Sequence, residues 1–391
     1  LKEKNIKTSW IHLFVKDNYI KNSYQASKLI DNLNNNNNLQ NHITLYSFMN
    51  IRVIYRVFID WLKVLKIINK IQIYKHFPNY KEFNFWKFYK NDWYDSFIGK
   101  DAIDNLIYLN LFQEAFKFCE QSSIVSYLLE NQGWEIAMLG ICRKFNIDKT
   151  IGFSHAASRY WDLRSFYDRR EYLNKNKLSL PRPKILAVNS KYALDQYLIY
   201  GYPKKQIKLV EALRHSYLSK NYPSTKKCIK NKKSLLVLGD YENENTADQL
   251  YILNELPKDI LVDLEIIYKP HPGSTLDLST FSALSMNFRE EPISELLPLT
   301  NLVYCGTATS ASVDAFSFGS KVIIYNDPKI LNLSPLRKFK EVIFVMNPTQ
   351  LEEELVKFFS ENIYTSTRRA IFELSEDLPL WKNLLYEIIK I

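Results

Sequence analysis

The segment Tyr268-Lys269-Pro270-His271-Pro272-Gly273 sets one imidazole between two prolines. Each proline ring fixes its own φ, so the histidine is carried on a stiff backbone. Held that way, it can donate to a phosphate oxygen, with Lys269 adding positive charge beside it. The alternative is a rigid turn with a surface histidine. A second segment, Tyr304-Cys305-Gly306-Thr307-Ala308-Thr309-Ser310-Ala311-Ser312, has four hydroxyls in six positions. Gly306 permits close backbone approach. Thr307, Thr309, Ser310 and Ser312 would join the free N–H groups of a helix N-terminus in a neutral phosphate cradle. A plain Ser/Thr cap is the alternative, but a cap needs one hydroxyl rather than four. Asp314 follows inside the expected helix, and Gly319 is placed to end it.

Three further groupings lie in the N-terminal half. In Glu130-Asn131-Gln132-Gly133-Trp134-Glu135 two carboxylates flank one of only nine glycines. Glu130 or Glu135 could take the proton from an attacking hydroxyl, or they could be the acidic first turn of a helix. The run 150–164, TIGFSHAASRYWDLR, interleaves His155, Arg159, Asp162 and Arg164 with aromatic residues, a pattern suited to sugar hydroxyls or a carboxylate. In Val210-Glu211-Ala212-Leu213-Arg214-His215, Arg214 could clamp a carboxylate or phosphate with two parallel hydrogen bonds. A structural Glu–Arg pair is the alternative there.

These groups need strand ends to hold them. Apolar runs at 234–238, 263–268, 302–305, 321–325 and 342–346 read as strands, and 245–255, 293–297, 310–318 and 349–360 as helices. In the first half, 150–153, 184–188 and 206–210 read as strands, with a helix over 190–200. Strand and helix alternate, which implies parallel sheets, and such sheets gather ligands at strand carboxyl ends. The polar stretch 219–233 lacks an apolar period and reads as a connection. The expected organisation is an α/β chain with an N-terminal domain over 1–225, a linker at 226–233 and a second domain over 234–365. The tail 366–391 is expected to be helical and to pack back on the first domain.

Of 391 residues, 46% are hydrophobic and 24% charged, which excludes a disordered or collagen-like chain. Cys119, Cys142, Cys228 and Cys305 form no CxxC pair, and the six histidines are dispersed, so no metal site or disulfide framework is expected. GxGxxG and GxxxxGK[ST] are both absent, against a dinucleotide dehydrogenase or P-loop enzyme. Charge is uneven: residues 1–232 hold 38 Lys and Arg against 19 Asp and Glu, while 233–391 hold 14 against 23. A basic half can face an anionic membrane, an acidic glycan or nucleic acid. The run 51–71 reads as an amphipathic basic helix, either packed with a solvated face or lying on an anionic membrane. No run is apolar and long enough to span a bilayer. The polar start 1–4 lacks the apolar core of a secretory signal. A cytoplasmic protein is expected, with peripheral contact at the inner membrane face open to it.

Taken in order, ENQGWE, TIGFSHAASRYWDLR, VEALRH, YKPHP and GTATSASVDAFSFGSKVI resemble bacterial surface-carbohydrate biosynthesis proteins of the GT-B glycosyltransferase type. The Lys-Pro-His-Pro and Ser/Thr-rich pair is similar to that of sialyl-, polysialyl- and Kdo-transferases. The resemblance covers residues 125–325. It implies two Rossmann-like domains facing a cleft, a CMP-activated nonulosonic acid or Kdo donor, a cell-surface glycan or glycolipid acceptor, and no cofactor. His271 and the hydroxyls of 307–312 would then hold the CMP phosphate, and Glu130 would be the base. Asn131-Gln132 separates Glu130 from Gly133, a departure from the family's acidic-Gly motif that keeps Glu135 and Asp162 as candidates. Arg214 or Arg164 would hold the sugar carboxylate. Inverting, metal-independent transfer is expected. The competing readings are a CDP-glycerol-type phosphotransferase, a UDP-sugar epimerase, or a basic nucleic-acid-binding or membrane-surface protein. No recognised nucleic-acid motif is present, and no nucleic-acid partner is expected.

Overall fold

A computed structural model describes the chain except at positions 1–5, 17–19, 36–38, 69, 72–74, 76–78, 82, 167–178, 220–224, 230–232, 362 and 391. It divides into two compact units. The first comprises Leu1–Ser126, Asn131–Ile151 and Leu180–Lys184; the second comprises Tyr127–Glu130, Gly152–Ser179 and Ile185–Ile391.

Helices dominate the first unit. They are α1 (Ser23–Asn35), α2 (Ile51–Ile68), α3 (Trp86–Phe97), α4 (Lys100–Ala115) and α5 (Gly133–Lys144). Two short sheets accompany them: β1 (Thr8–His12) runs parallel to β2 (Gln40–Thr44), and β3 (Asn79–Tyr80) pairs antiparallel with β4 (Phe83–Asn84). α4 packs against α2, α3 and α5, and it buries Leu111, Phe112 and Ala115. Polar groups tie α4 to α2 as well: Arg56 pairs with Glu114, and Asn110 Nδ2 donates to Asp60 Oδ2 at 3.2 Å.

A four-stranded sheet follows in the order β5 (Val125–Leu128), β6 (Thr150–Ser154), β7 (Ile185–Val188), β8 (Ile207–Leu209). β7 and β8 are parallel. The helix Lys191–Ile199 starts at Ser190, whose hydroxyl accepts the Ala193 N–H at 3.1 Å. That bond satisfies one of the free donors at a helix start.

The second unit's larger sheet has six strands: β10 (Ser234–Leu238), β11 (Glu265–Lys269), β12 (Met286–Phe288), β13 (Leu302–Gly306), β14 (Lys321–Tyr325) and β15 (Ile343–Val345). Their order is β12-β11-β10-β13-β14-β15, and every neighbouring pair is parallel. Renumbered from β10, this is the 3-2-1-4-5-6 order of a Rossmann sheet, whose direction of winding reverses between its first and fourth strands. The continuous apolar runs follow from burial on both faces. Leu235, Val237, Ile266, Tyr268, Leu302 and Tyr304 pack on one side. Their neighbours Leu236, Leu238, Ile267, Val303 and Cys305 pack on the other. The α/β class expected from the sequence is borne out.

Two segments differ from expectation. Within 219–233, β9 (Thr225–Ile229) pairs antiparallel with β16 (Ile363–Thr367). The tail is therefore not helical from 366: β16 runs to Thr367, and the helix begins at Pro379 and ends at Lys390. A two-stranded ribbon closed across more than a hundred residues leaves no local period in either segment, because β preference depends on the partner. The helices expected at 190–200, 245–255, 293–297, 310–318 and 349–360 form within a few residues of those spans, and a further short helix, Lys258–Asp263, was not expected. Gly319 ends the helix Ala311–Phe318 at φ 105, a left-handed turn that suits glycine.

Leu236 lies fully buried in a central strand. Leu236→Ala should cost about 2–5 kcal/mol, measured as a lower urea midpoint for the transition that includes this sheet.

Candidate functional site

Parallel strands end on one edge, so the loops after β10, β11 and β13 open together. Gly239-Asp240 follows β10, His271 follows β11, and Thr307 follows β13. Backbone packing there is close. A Cβ added at Gly239 would lie 3.3 Å from the His271 nitrogen, and one at Gly306 would lie 3.5 Å from Asp240 Oδ2. His271 and Gly306 therefore flank Asp240 on the same edge, beside the strands where the winding reverses.

His271 is oriented by its own loop. The Gly273 N–H donates to Nδ1 at 3.1 Å, and Tyr241 stands edge-on with ring centroids 5.5 Å apart. Because Nδ1 accepts, the neutral ring carries its proton on Nε2 and offers that N–H as a donor. Burial holds the His271 pKa below the ordinary histidine value. Arg159, Lys269 and Arg214 push in the same direction, while Asp240 opposes them. Two arginines from other loops thus act on the same imidazole. Lys269 Nζ donates to the Glu290 carbonyl at 3.3 Å, and burial lowers its pKa.

The hydroxyl-rich loop divides its roles. Thr307, Thr309 and Ser312 are buried, while Ser310 is partly exposed at the start of the helix Ala311–Phe318. Ser312 Oγ donates to the Thr309 carbonyl at 2.7 Å, which braces the turn and uses its proton there. Asp240 was not singled out from the sequence. It is buried, its Oδ1 accepts the Tyr241 N–H at 2.6 Å, and its Oδ2 has no hydrogen-bond partner among the described residues. Its position after Gly239 at a strand end was the available signal.

The loop after β8 is pinned on two sides. Glu211 is buried, and its carboxylate accepts the N–H groups of Leu380 at 2.7 Å and Trp381 at 3.0 Å, at the start of the helix Pro379–Lys390. The Trp381 indole donates to the Glu211 carbonyl at 2.9 Å. His215 Nδ1 lies 2.7 Å from Asp314 Oδ1, at ion-pair distance without hydrogen-bond alignment, and its ring stacks on Phe372. Burial raises the Tyr217 pKa, with Asp314 adding to the effect. Glu211 is thus a helix cap rather than the partner of Arg214. Between these two pins Arg214 is exposed, and its charge reaches both His155 and His271.

At the ends of β5 and β6, Glu130 Oε1 lies 3.5 Å from His155 Nε2. Their side chains are 51% and 16% exposed, so the carboxylate stands outermost. Burial lowers the His155 pKa. Glu130 pulls it up, and Arg214 and His215 pull it down. Asn189, fully buried, donates to the His155 carbonyl at 3.2 Å and fixes the loop. Arg159 and Asp162 are partly exposed, and Asp162 helps to raise the Tyr200 pKa, after burial. Arg164 sits in a short 3-10 turn, Leu163–Ser165. Glu135 belongs to the first unit, where it is buried and accepts the Gln132 N–H at 3.1 Å in a capping box that opens α5. That bond makes it a helix cap, so it is corrected out of the candidate bases. Glu130, His155, Arg159, Arg214 and His271 all belong to the second unit and are linked by mutual electrostatics. Among the described residues no three His, Cys, Asp or Glu side chains gather as a metal site.

No family model and no curated protein matches this chain. Solved structures give weak likenesses. An MnaA–UDP co-structure from S. aureus is 11% identical, covers 91% of this chain and 88% of its own, and has a TM-score of 0.46. A UDP-N-acetylglucosamine 2-epimerase from Rickettsia bellii is 12% identical over 74% and 78%, with a TM-score of 0.45. UGT89C1 of Arabidopsis thaliana, complexed with quercetin, is 10% identical over 100% and 88%, with a TM-score of 0.44. At these values the α/β class rests on the chain's own strand order.

His155 and His271 both have lowered pKa values, so the folded chain binds fewer protons at them than the unfolded chain does. Their contribution is complete above the unfolded value near 6.5 and declines as pH falls toward the lowered folded values. Urea midpoints should fall between pH 7 and 5, and less so in His155→Gln and His271→Gln. Proton NMR should find both imidazoles titrating below 6.5.

Proposed function

We propose that this chain is a GT-B-type glycosyltransferase that moves a nonulosonic acid or Kdo from a CMP-activated donor to a cell-surface glycan or glycolipid. What supports the reading is one sheet edge where His271 is oriented by the Gly273 N–H beside Gly239-Asp240 and Gly306. Arg159 and Arg214 both act on that imidazole, and Arg214 also acts on the Glu130–His155 pair, whose members lie 3.5 Å apart. A CMP-nonulosonate has two anionic parts, a phosphodiester and a sugar carboxylate. His271 Nε2–H and the N–H groups opening the helix after Gly306 suit the phosphate, joined by Thr307, Thr309 and Ser310. Arg214 and Arg159 suit the carboxylate, and Arg164 stays assigned to the same part.

The proposed chemistry is a direct displacement. The acceptor hydroxyl gives its proton to Glu130, with neutral His155 behind it, and its oxygen bonds to the anomeric carbon. The bond from that carbon to the phosphate oxygen breaks, and CMP leaves with the electron pair. Donors already aimed at the phosphate stabilise that charge with little reorganisation. Inversion at the anomeric carbon follows from a single displacement. Asp162 is the alternative base. A UDP-sugar reading of the same edge, for transfer or epimerisation, draws support from the same cationic groups, which would equally take a diphosphate.

Donor class is read by thermal shift with CMP, CDP and UDP. CMP should raise the melting temperature most, and a UDP preference would replace the CMP assignment. His271→Ala should cut turnover about a hundredfold or more, by loss of one charge-directed donor; unchanged turnover removes His271 from the site. Activity should survive excess EDTA.

A further inference from the structure

α2 is apolar on more than the side that it buries. Val53 and Ile68 are buried, and the helix packs on α4. Ile51, Tyr55, Phe58 and Leu62 recur at three- and four-residue intervals along another face, and they are 77, 65, 53 and 36% exposed. With about 3.6 residues per turn, such spacing makes one continuous stripe. Exposed Arg52 and Lys66 lie along one flank of it; Lys63 is paired with Asp60 at 2.8 Å. Residues 51–90 hold nine Lys and Arg against two Asp and Glu. α3, which also packs on α2, has no buried residue and exposes Phe88 and Tyr89 beside Lys87 and Lys90. A helix on the surface of a globular protein normally turns its apolar stripe inward. A contiguous outward-facing apolar stripe with a polar rim marks an interaction surface.

We infer that the Ile51–Leu62 face of α2 docks in the plane of an anionic lipid surface. A bilayer boundary takes both halves of the pattern. Aliphatic and aromatic side chains enter the upper acyl region, tyrosines sit at the headgroup level, and the basic flank meets lipid phosphates. Nucleic acid would use the rings and cations but gain little from Ile51 and Leu62. A second copy docked antiparallel by the same face would set like-charged flanks against each other. No helix among the described residues is long and apolar enough to cross a membrane, so the contact lies on the surface. It goes beyond the proposed transfer reaction and does not depend on it.

The test is co-sedimentation of the full chain with phosphatidylcholine vesicles, with and without phosphatidylglycerol, at low and high salt. Binding should require phosphatidylglycerol and weaken with salt. Phe58→Glu with Leu62→Glu should reduce vesicle affinity about tenfold or more, and Arg52→Glu with Lys66→Glu should do likewise. These side chains are exposed, so circular dichroism and elution volume should match the parent chain. Absence of vesicle binding, equal binding to neutral lipid, or unchanged affinity in the Phe58/Leu62 variant would each overturn the assignment. So would a concentration-dependent dimer dispersed by Phe58→Glu without any vesicle binding.

Discussion

The Glu211 carboxylate is the constraint on which the cationic edge depends. Placed after β8, it accepts two N–H groups from the first turn of a helix, 169 and 170 residues along the chain. A buried carboxylate needs such donors to remain charged away from water, and a helix N-terminus supplies them along with a favourable dipole. His215 against Asp314 and Phe372 fixes the same loop from its other side. Arg368 adds a bond to the Leu218 carbonyl, and the Ala212 N–H donates to the Glu373 carbonyl at 2.8 Å. With its neighbours committed, Arg214 remains the exposed cation of the loop.

Around that arginine, charge is arranged economically. His271 is kept neutral yet oriented by the Gly273 N–H, so it contributes a directed donor rather than a full charge. His155 is neutral for a related reason, and Glu130 stands outside it where solvent can reach. The positive charges that act on His271 come from Arg159, Lys269 and Arg214. The buried Asp240 lies beside His271 and raises its pKa against the lowering by those three cations.

Much of this was legible in the sequence. Uninterrupted apolar runs announced strands buried on both faces, and the dipeptide steps at Lys269-Pro270 and Gly306-Thr307 marked their ends. Arg214 and His271 were visible because their types and positions suited an anion. Other roles were hidden, since they depend on partners far along the chain. Glu211 looked like half of a local ion pair until Leu380 and Trp381 supplied its donors. Glu135 looked like a base until its hydrogen bond to Gln132 made it a cap. Asp240 gave only a strand-end position, and the β9–β16 ribbon had no local period at all. The outward stripe of α2 was ambiguous for another reason: apolar periodicity shows that a stripe exists and leaves open which side meets the rest of the protein.

The clasp between residue 211 and residues 380–381 also orders events during synthesis. The ribosome delivers Glu211 long before its hydrogen-bond donors, so a growing chain carries a carboxylate awaiting its partners through the assembly of the whole six-stranded sheet. The loop that carries Arg214 gains its final setting only when the helix Pro379–Lys390 emerges. The proposed anion contact at this edge therefore waits until residues 380 and 381 have left the ribosome.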